Sequence, residues 1–248
     1  MAYETFAFVY DEVMDKTLYD KWLSFAKRHL GKRRNLLELA CGTGALAVAF
    51  AKEDYQVTAL DLSEEMLMMA SERAYEAHAD IQLLAGDMMD LEGVGSFEAV
   101  TCFSDSICYM PDAPSVQQVF DEVYQVLEEE GVFLFDVHSQ YQINEVFPEY
   151  SYHYQTDEFA FLWDSYQDAP DTIQHFLTFF VPENPSEEKV ANNLFIREDE
   201  IHEERTYPLA EYVRMLENAG FSKVECYADF IDSEPNEKSR RWFFVCHK

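Results

Sequence analysis

Glu38 stands inside an otherwise apolar run, Leu36-Leu37-Glu38-Leu39, and four residues later the chain reaches Gly42-Thr43-Gly44. A carboxylate in a buried strand needs a cation or a donor to satisfy it. The two glycines permit tight left-handed turns and close approach of the backbone to a ligand. The stretch Ala45 to Lys52 reads as a helix whose first N–H groups face the same place. Strand, glycine turn and helix in that order make a site for a nucleotide-like cofactor. Asp61 ends the next strand-like run, Gln56 to Asp61, at the spacing of a ribose-binding acid. Read loosely, Gly42-Thr43-Gly44-Ala45-Leu46-Ala47 matches the dinucleotide fingerprint and would make the chain an NAD-dependent oxidoreductase. Glu38 argues against that reading, because a pyrophosphate is the wrong partner for a buried acid.

Further candidate residues follow in order. Ile81 to Ala85 reads as a third strand ending in Gly86-Asp87-Met88, and Phe97 to Cys102 as a fourth running into Phe103-Ser104-Asp105 and Tyr109. The run Glu38-Leu39-Ala40-Cys41-Gly42-Thr43-Gly44, taken with these, resembles the class I S-adenosylmethionine-dependent methyltransferases. The segment Tyr3 to Asp11 resembles the N-terminal helix of their small-molecule members, including the amino-sugar N-methyltransferases. The resemblance implies a sulfonium- and ammonium-bearing cofactor, for which Glu38 suits where a pyrophosphate site would not. It implies that the glycine loop lies along the methionine part, that Asp61 holds the ribose, and that Asp87 meets the adenine. It assigns to the cofactor Tyr10, Glu38, Ala40, Cys41, Gly42, Gly44, Asp61, Leu62, Met66, Gly86, Asp87, Met88, Phe103, Ser104, Asp105 and Tyr109. Tyr10 would approach the transferred methyl or serve as helix packing, and Ser104 and Asp105 would contact ligands or cap the next turn. The Asn/Asp-Pro-Pro-Tyr signature of one amino-methyltransferase subset is absent at Phe103-Ser104-Asp105-Ser106. His138, just past the fifth strand in Phe135-Asp136-Val137-His138, is the best-placed base, or else a hydrogen-bonded structural histidine.

The elements that must position these residues alternate as strand and helix: strands over 35–40, 56–61, 81–85, 97–103 and 131–137, helices over 43–53, 64–77 and 114–129. That pattern predicts an α/β fold built on a doubly wound, mostly parallel seven-stranded sheet. Helices are expected over Tyr3 to Met14 and Leu18 to Leu30 as a cover, and Ser63 as the N-cap of helix 64–77. After helix 208–219, Ser222 to Phe230 and Arg240 to His247 form a terminal antiparallel hairpin. Residues 140–206 break the alternation and predict a small antiparallel β lid inserted after strand five. The domain then consists of residues 1–139 and 207–248. The lid holds 15 Asp and Glu against three Lys and Arg, with aromatic residues interleaved, a composition suited to an organic cation or to a solvated acidic face.

With a formal net charge of −30 and 18 Lys and Arg, the chain lacks the basic footprint of a nucleic-acid partner. The acidity would steer a cationic small substrate or serve solubility. Lys32-Arg33-Arg34 reads as a solvated loop. No run approaches the length of a membrane helix and no basic-then-apolar leader precedes the fold, so no membrane partner and a cytoplasmic location are expected. The five cysteines form no C-x-x-C pair and read as reduced core residues. Metal-ligand spacing, a P-loop and a nucleophile elbow are absent, so no metal is expected. Oligomeric state is not legible in the chain. The expected function is transfer of a methyl group from S-adenosyl-L-methionine to a small, amine-bearing metabolite by in-line displacement. The other classes are an NAD-dependent oxidoreductase and a non-catalytic regulatory protein that binds S-adenosylmethionine.

Overall fold

Leu36, Leu37 and Leu39 are fully buried, so β1 (Asn35–Leu39) has no solvent face and must lie in the middle of a sheet. The computed structural model describes residues 9, 13–182 and 194–248. Tyr10 and most of the expected first helix lie outside the described residues. β1 pairs in parallel with β2 (Gln56–Asp61) on one side and β4 (Phe97–Cys102) on the other. Beyond β2 comes β3 (Ile81–Ala85), and beyond β4 comes β5 (Leu127–His138), both parallel. β11 (Arg241–His247) then runs antiparallel between β5 and β10 (Lys223–Ala228). The order β10-β11-β5-β4-β1-β2-β3 is the predicted doubly wound sheet with its terminal hairpin.

Alternation along the central strands divides the core into two layers. Leu36, Ala99, Leu134, Phe243 and Val245 face α1 (Thr17–Leu30), α2 (Ala45–Ala51) and α3 (Glu64–Ala77), meeting Trp22, Phe25, Phe50 and Leu67. On the other face Leu37, Val100, Phe133, Phe135 and Phe244 meet Phe120 of α4 (Ala113–Val126) and Tyr212 and Leu216 of α5 (Leu209–Ala219). Caps set where the helices begin. Ser63 Oγ accepts from Met66 N at 3.1 Å, as the sequence predicts, and Asp112 Oδ1 accepts from Ser115 N at 2.9 Å. The helix expected over 114–129 ends at Val126. Leu127 already pairs with Phe97, so the strong helix formers Glu128 to Glu130 become an exposed, irregular start to β5.

Between β5 and α5 the chain builds a second, antiparallel sheet from β6 (Ser151–Gln155), β7 (Ala160–Ala169), β8 (Thr172–Pro182) and β9 (Phe195–Arg205), in that order. Phe159, Phe161, Leu177 and Phe179 bury one of its faces together with Val9. Thr206, just past β9, ties this sheet to the first: its Oγ1 donates to the His138 carbonyl at 2.6 Å and its N–H to the Asp171 carbonyl at 2.9 Å. The five cysteines are free, four of them buried. Among the described residues no helix is long and apolar enough to cross a membrane.

Candidate active site

The carboxyl ends of β1, β2 and β3 are joined by backbone hydrogen bonds. Cys41 N–H donates to the Leu60 carbonyl at 3.0 Å, and Gly86 N–H to the Asp61 carbonyl at 3.0 Å. The turn after β1 is left-handed at Ala40 (φ 51°), Gly42 (φ 54°) and Gly44 (φ 73°). A Cβ on Gly44 would lie 2.8 Å from Ala70 Cβ, so glycine lets α2 approach α3; a Cβ on Gly42 would meet nothing within 4 Å, so that side of the loop is open. Asp61 fixes the loop directly: Oδ2 accepts from Gly42 N at 2.7 Å and Oδ1 from Ser63 N at 2.9 Å. Burial nevertheless raises the Asp61 carboxyl, opposed by these hydrogen bonds.

Glu38 is buried and its Oε2 accepts no hydrogen bond from the described residues. Burial first, and the charge of Asp61 second, push its carboxyl up to about 8. An orphaned acid oxygen inside a strand, beside an open glycine loop, fits a ligand that brings positive charge. Leu62 is exposed past β2, Met66 is buried in the first turn of α3, and Asp87 accepts from Met89 N at 2.9 Å in the turn after β3. Met88 is half-buried against the core.

A second group of charged residues lies at the ends of β4 and β5. Phe103 is buried, while Ser104 (φ 60°) and Asp105 (φ 53°) reverse the chain into a 3-10 turn, Ser106–Tyr109. Asp105 Oδ1 meets Arg241 Nη1 at 2.6 Å, and Arg241 also pairs with the wholly buried Asp136. Asp105 Oδ2 lies 3.4 Å from His138 Nε2, which in turn lies 3.5 Å from Glu204 Oε2 of β9. Burial pushes the Asp105 carboxyl up, but His138 and Arg241 outweigh it and hold it well below the usual carboxylate range. Burial wins at Asp136, whose carboxyl is raised despite Arg241. The two groups share a wall: burial raises the Cys102 thiol, and the charges of Asp136, Glu38, Asp105 and Asp61 all add to the rise.

Glu204 is oriented from behind. Its Oε1 lies 3.4 Å from His175 Nε2, His175 Nδ1 lies 2.7 Å from Ser165 Oγ, and Trp163 Nε1 donates to both, at 3.1 and 3.0 Å. An indole N–H can only donate, so these contacts anchor the imidazole ring behind Glu204. Tyr109 packs edge-on against His202 of β9, with ring centroids 5.9 Å apart, linking the turn after β4 to the second sheet. Of the residues singled out in the sequence, the structure gathers Glu38, Cys41, Gly42 and Asp61 at one end, and Asp105 and His138 at the other. Arg241, Asp136, Glu204 and His175 were not anticipated.

The fold and the glycine loop define an α/β protein that binds a cofactor at the carboxyl ends of its strands, with a second sheet over one end. The methyltransferase-domain family model matches residues 36–131. Over its whole length the chain is 39% identical to a protein of Geobacillus sp. (strain WCH70) named as a methyltransferase, covering 100% of each. It is 38% identical to another so named from Bacillus subtilis, covering 100% of this chain and 98% of the other. A crystal structure of an S-adenosylmethionine-dependent methyltransferase from Clostridium acetobutylicum superposes with a TM-score of 0.83 at 26% identity, covering 100% of this chain and 99% of that one. The chain belongs to the S-adenosylmethionine-dependent methyltransferases. The oxidoreductase and non-catalytic readings therefore fall away.

Proposed function

We propose that the protein transfers the methyl group to an amine nitrogen of a small metabolite, by in-line displacement, at the carboxyl ends of β4 and β5 beneath β9. The observation that carries this reading is a surplus of buried negative charge. Asp105, Asp136 and Glu204, all under 10% exposed, face Arg241, His138 and His175 as the basic groups among the described residues. Of these, Arg241 is the one guanidinium or ammonium against the three carboxylates, and the rest of the balance falls to imidazoles. Burying an uncompensated charge costs several kcal/mol, on the order that a bound ammonium offsets.

At the other end, Glu38 would face the cationic methionine part, Asp61 the ribose hydroxyls, and Leu62, Met66, Asp87 and Met88 the adenine. Bound S-adenosylmethionine supplies an electrophilic methyl. The chain's own residues then have three tasks. Asp105 and Glu204 accept hydrogen bonds from the acceptor's ammonium and fix its direction. His138 receives the proton that must leave before nitrogen can attack. The second sheet excludes water from that step. Residues 140–206 thus act as the substrate lid of a domain formed by 1–139 and 207–248.

Turnover against a panel of amines, hydroxyls and carboxylates, followed as S-adenosylhomocysteine release, tests the reading. Amines should turn over, and His138→Asn should lose turnover while keeping S-adenosylhomocysteine affinity. Turnover confined to hydroxyl or carboxylate acceptors would refute it.

A further inference from the structure

The buried face of the second sheet is divided between its last two strands. On β8 it carries Ile173, His175, Leu177 and Phe179, all buried, and their cross-strand partners on β9 are Glu204, His202, Glu200 and Glu198. Alternate residues of a strand share a face, so three carboxylates line up on the inward side of β9. The Glu204 and Glu200 side chains are only 5% and 8% exposed. The outward Asp199 and Glu203 are 52% and 48% exposed, as solvated acids are. Glu204 Oε2, Glu200 Oε1 and Glu198 Oε2 are buried and accept no hydrogen bond from the described residues. His202 takes up the other Glu200 oxygen, Oε2, at 2.9 Å. Buried acceptors left open along one line call for donors arranged along that line.

We propose that the acceptor is a linear polycation, with its reacting nitrogen between Asp105 and Glu204 and a second ammonium further along β9 at Glu200 and Glu198. This rests on the amine reading above and names the acceptor's class. At about 3.3 Å per strand residue, Glu200 stands roughly 13 Å from Glu204 along β9, which suits nitrogens separated by a chain of eight or so methylene-length links. Between those two positions the links would pass His202 and its cross-strand partner His175, and Leu177 flanks their far end opposite Glu200.

The probes are 1,8-diaminooctane and octylamine, titrated calorimetrically into protein saturated with S-adenosylhomocysteine. The diamine should bind at least tenfold more tightly. Glu198→Gln/Glu200→Gln should remove that advantage and leave octylamine unchanged, whereas Glu204→Gln should weaken both. Unaltered S-adenosylhomocysteine affinity in each variant reports an intact fold. Equal binding of the two probes, or a diamine advantage that survives the double substitution, overturns the polycation. Failure of both probes to bind the loaded protein sinks the amine reading itself, and the proposal with it. Displacement of the diamine by micromolar Mn2+ would reassign Asp105, His138 and Glu204 to a metal and also overturn it.

Discussion

The two ends of the site solve the same electrostatic problem by opposite means. At the tips of β1–β3, one buried acid, Glu38, receives no hydrogen bond on Oε2 from the described residues, and the turns beside it come from about fifty consecutive residues, with β4 the neighbour from further along the chain. At the tips of β4 and β5, an acid-rich cluster is knitted from four separated segments and is cross-linked by Arg241 and His138. The first arrangement is open and local, as a site built for one constant ligand can be. The second depends on long-range pairs, so its charge balance, and with it the acceptor preference proposed for it, can change through substitutions far apart in sequence.

The comparison breaks most visibly through chemistry. Replacing His138 by Asn should lower turnover about 10²–10⁴-fold, the usual contribution of a positioned acid–base group, while S-adenosylhomocysteine binding stays as it is. Loss of both together would place His138 in the cofactor end instead. Next in size is Arg241→Ala, which leaves Asp136 and Asp105 buried without their shared cation. Unfolding in urea should show a loss of roughly 3–5 kcal/mol, largely recovered by adding Asp136→Asn. An Arg241→Ala protein as stable as the parent would mean that the cluster is not held by charge.

At the end proposed for the cofactor, Asp61→Ala removes the acceptor for two backbone N–H groups along with the proposed ribose contact. S-adenosylhomocysteine affinity should fall about 10–100-fold, the scale of charged hydrogen bonds, and cluster integrity should persist. Glu38 gives a pH signature of its own. Its carboxyl is raised from 4.5 to about 8 in the folded chain, so the folded state holds the extra proton between those values. Its contribution to stability is present below about 4.5 and is lost as pH rises to about 8. Glu38→Gln should flatten that decline in the ligand-free protein, by about 1–3 kcal/mol at the upper end, and weaken S-adenosylmethionine binding. A variant with the parent's slope would show that Glu38 is not the titrating group. The smallest effect expected is from Ser63→Ala, about 1 kcal/mol of stability through the lost cap of α3.

Sequence showed one end far better than the other, for a physical reason. Strand, glycine turn, helix and acid lie consecutively around Glu38 and Asp61, so local spacing alone locates them. Arg241 could not be matched to Asp105 and Asp136, because only the antiparallel docking of β11 on β5 sets Arg241 opposite His138. In β9 the parity of Glu198, Glu200, His202 and Glu204 was readable, yet Asp199 and Glu203 give the opposite face equal polarity. Only packing against β8 shows which set is buried. The end of α4 failed similarly: Glu128 to Glu130 have helix propensity, and tertiary pairing of Leu127 with Phe97 overrides it.

The most direct test of the central claim is the fate of the methyl group itself. Protein incubated with S-adenosylmethionine carrying a 13C-labelled methyl and a mixed panel of small amines, alcohols and carboxylic acids should yield label on nitrogen, read from its carbon chemical shift. Label found only on oxygen or carbon would contradict the account.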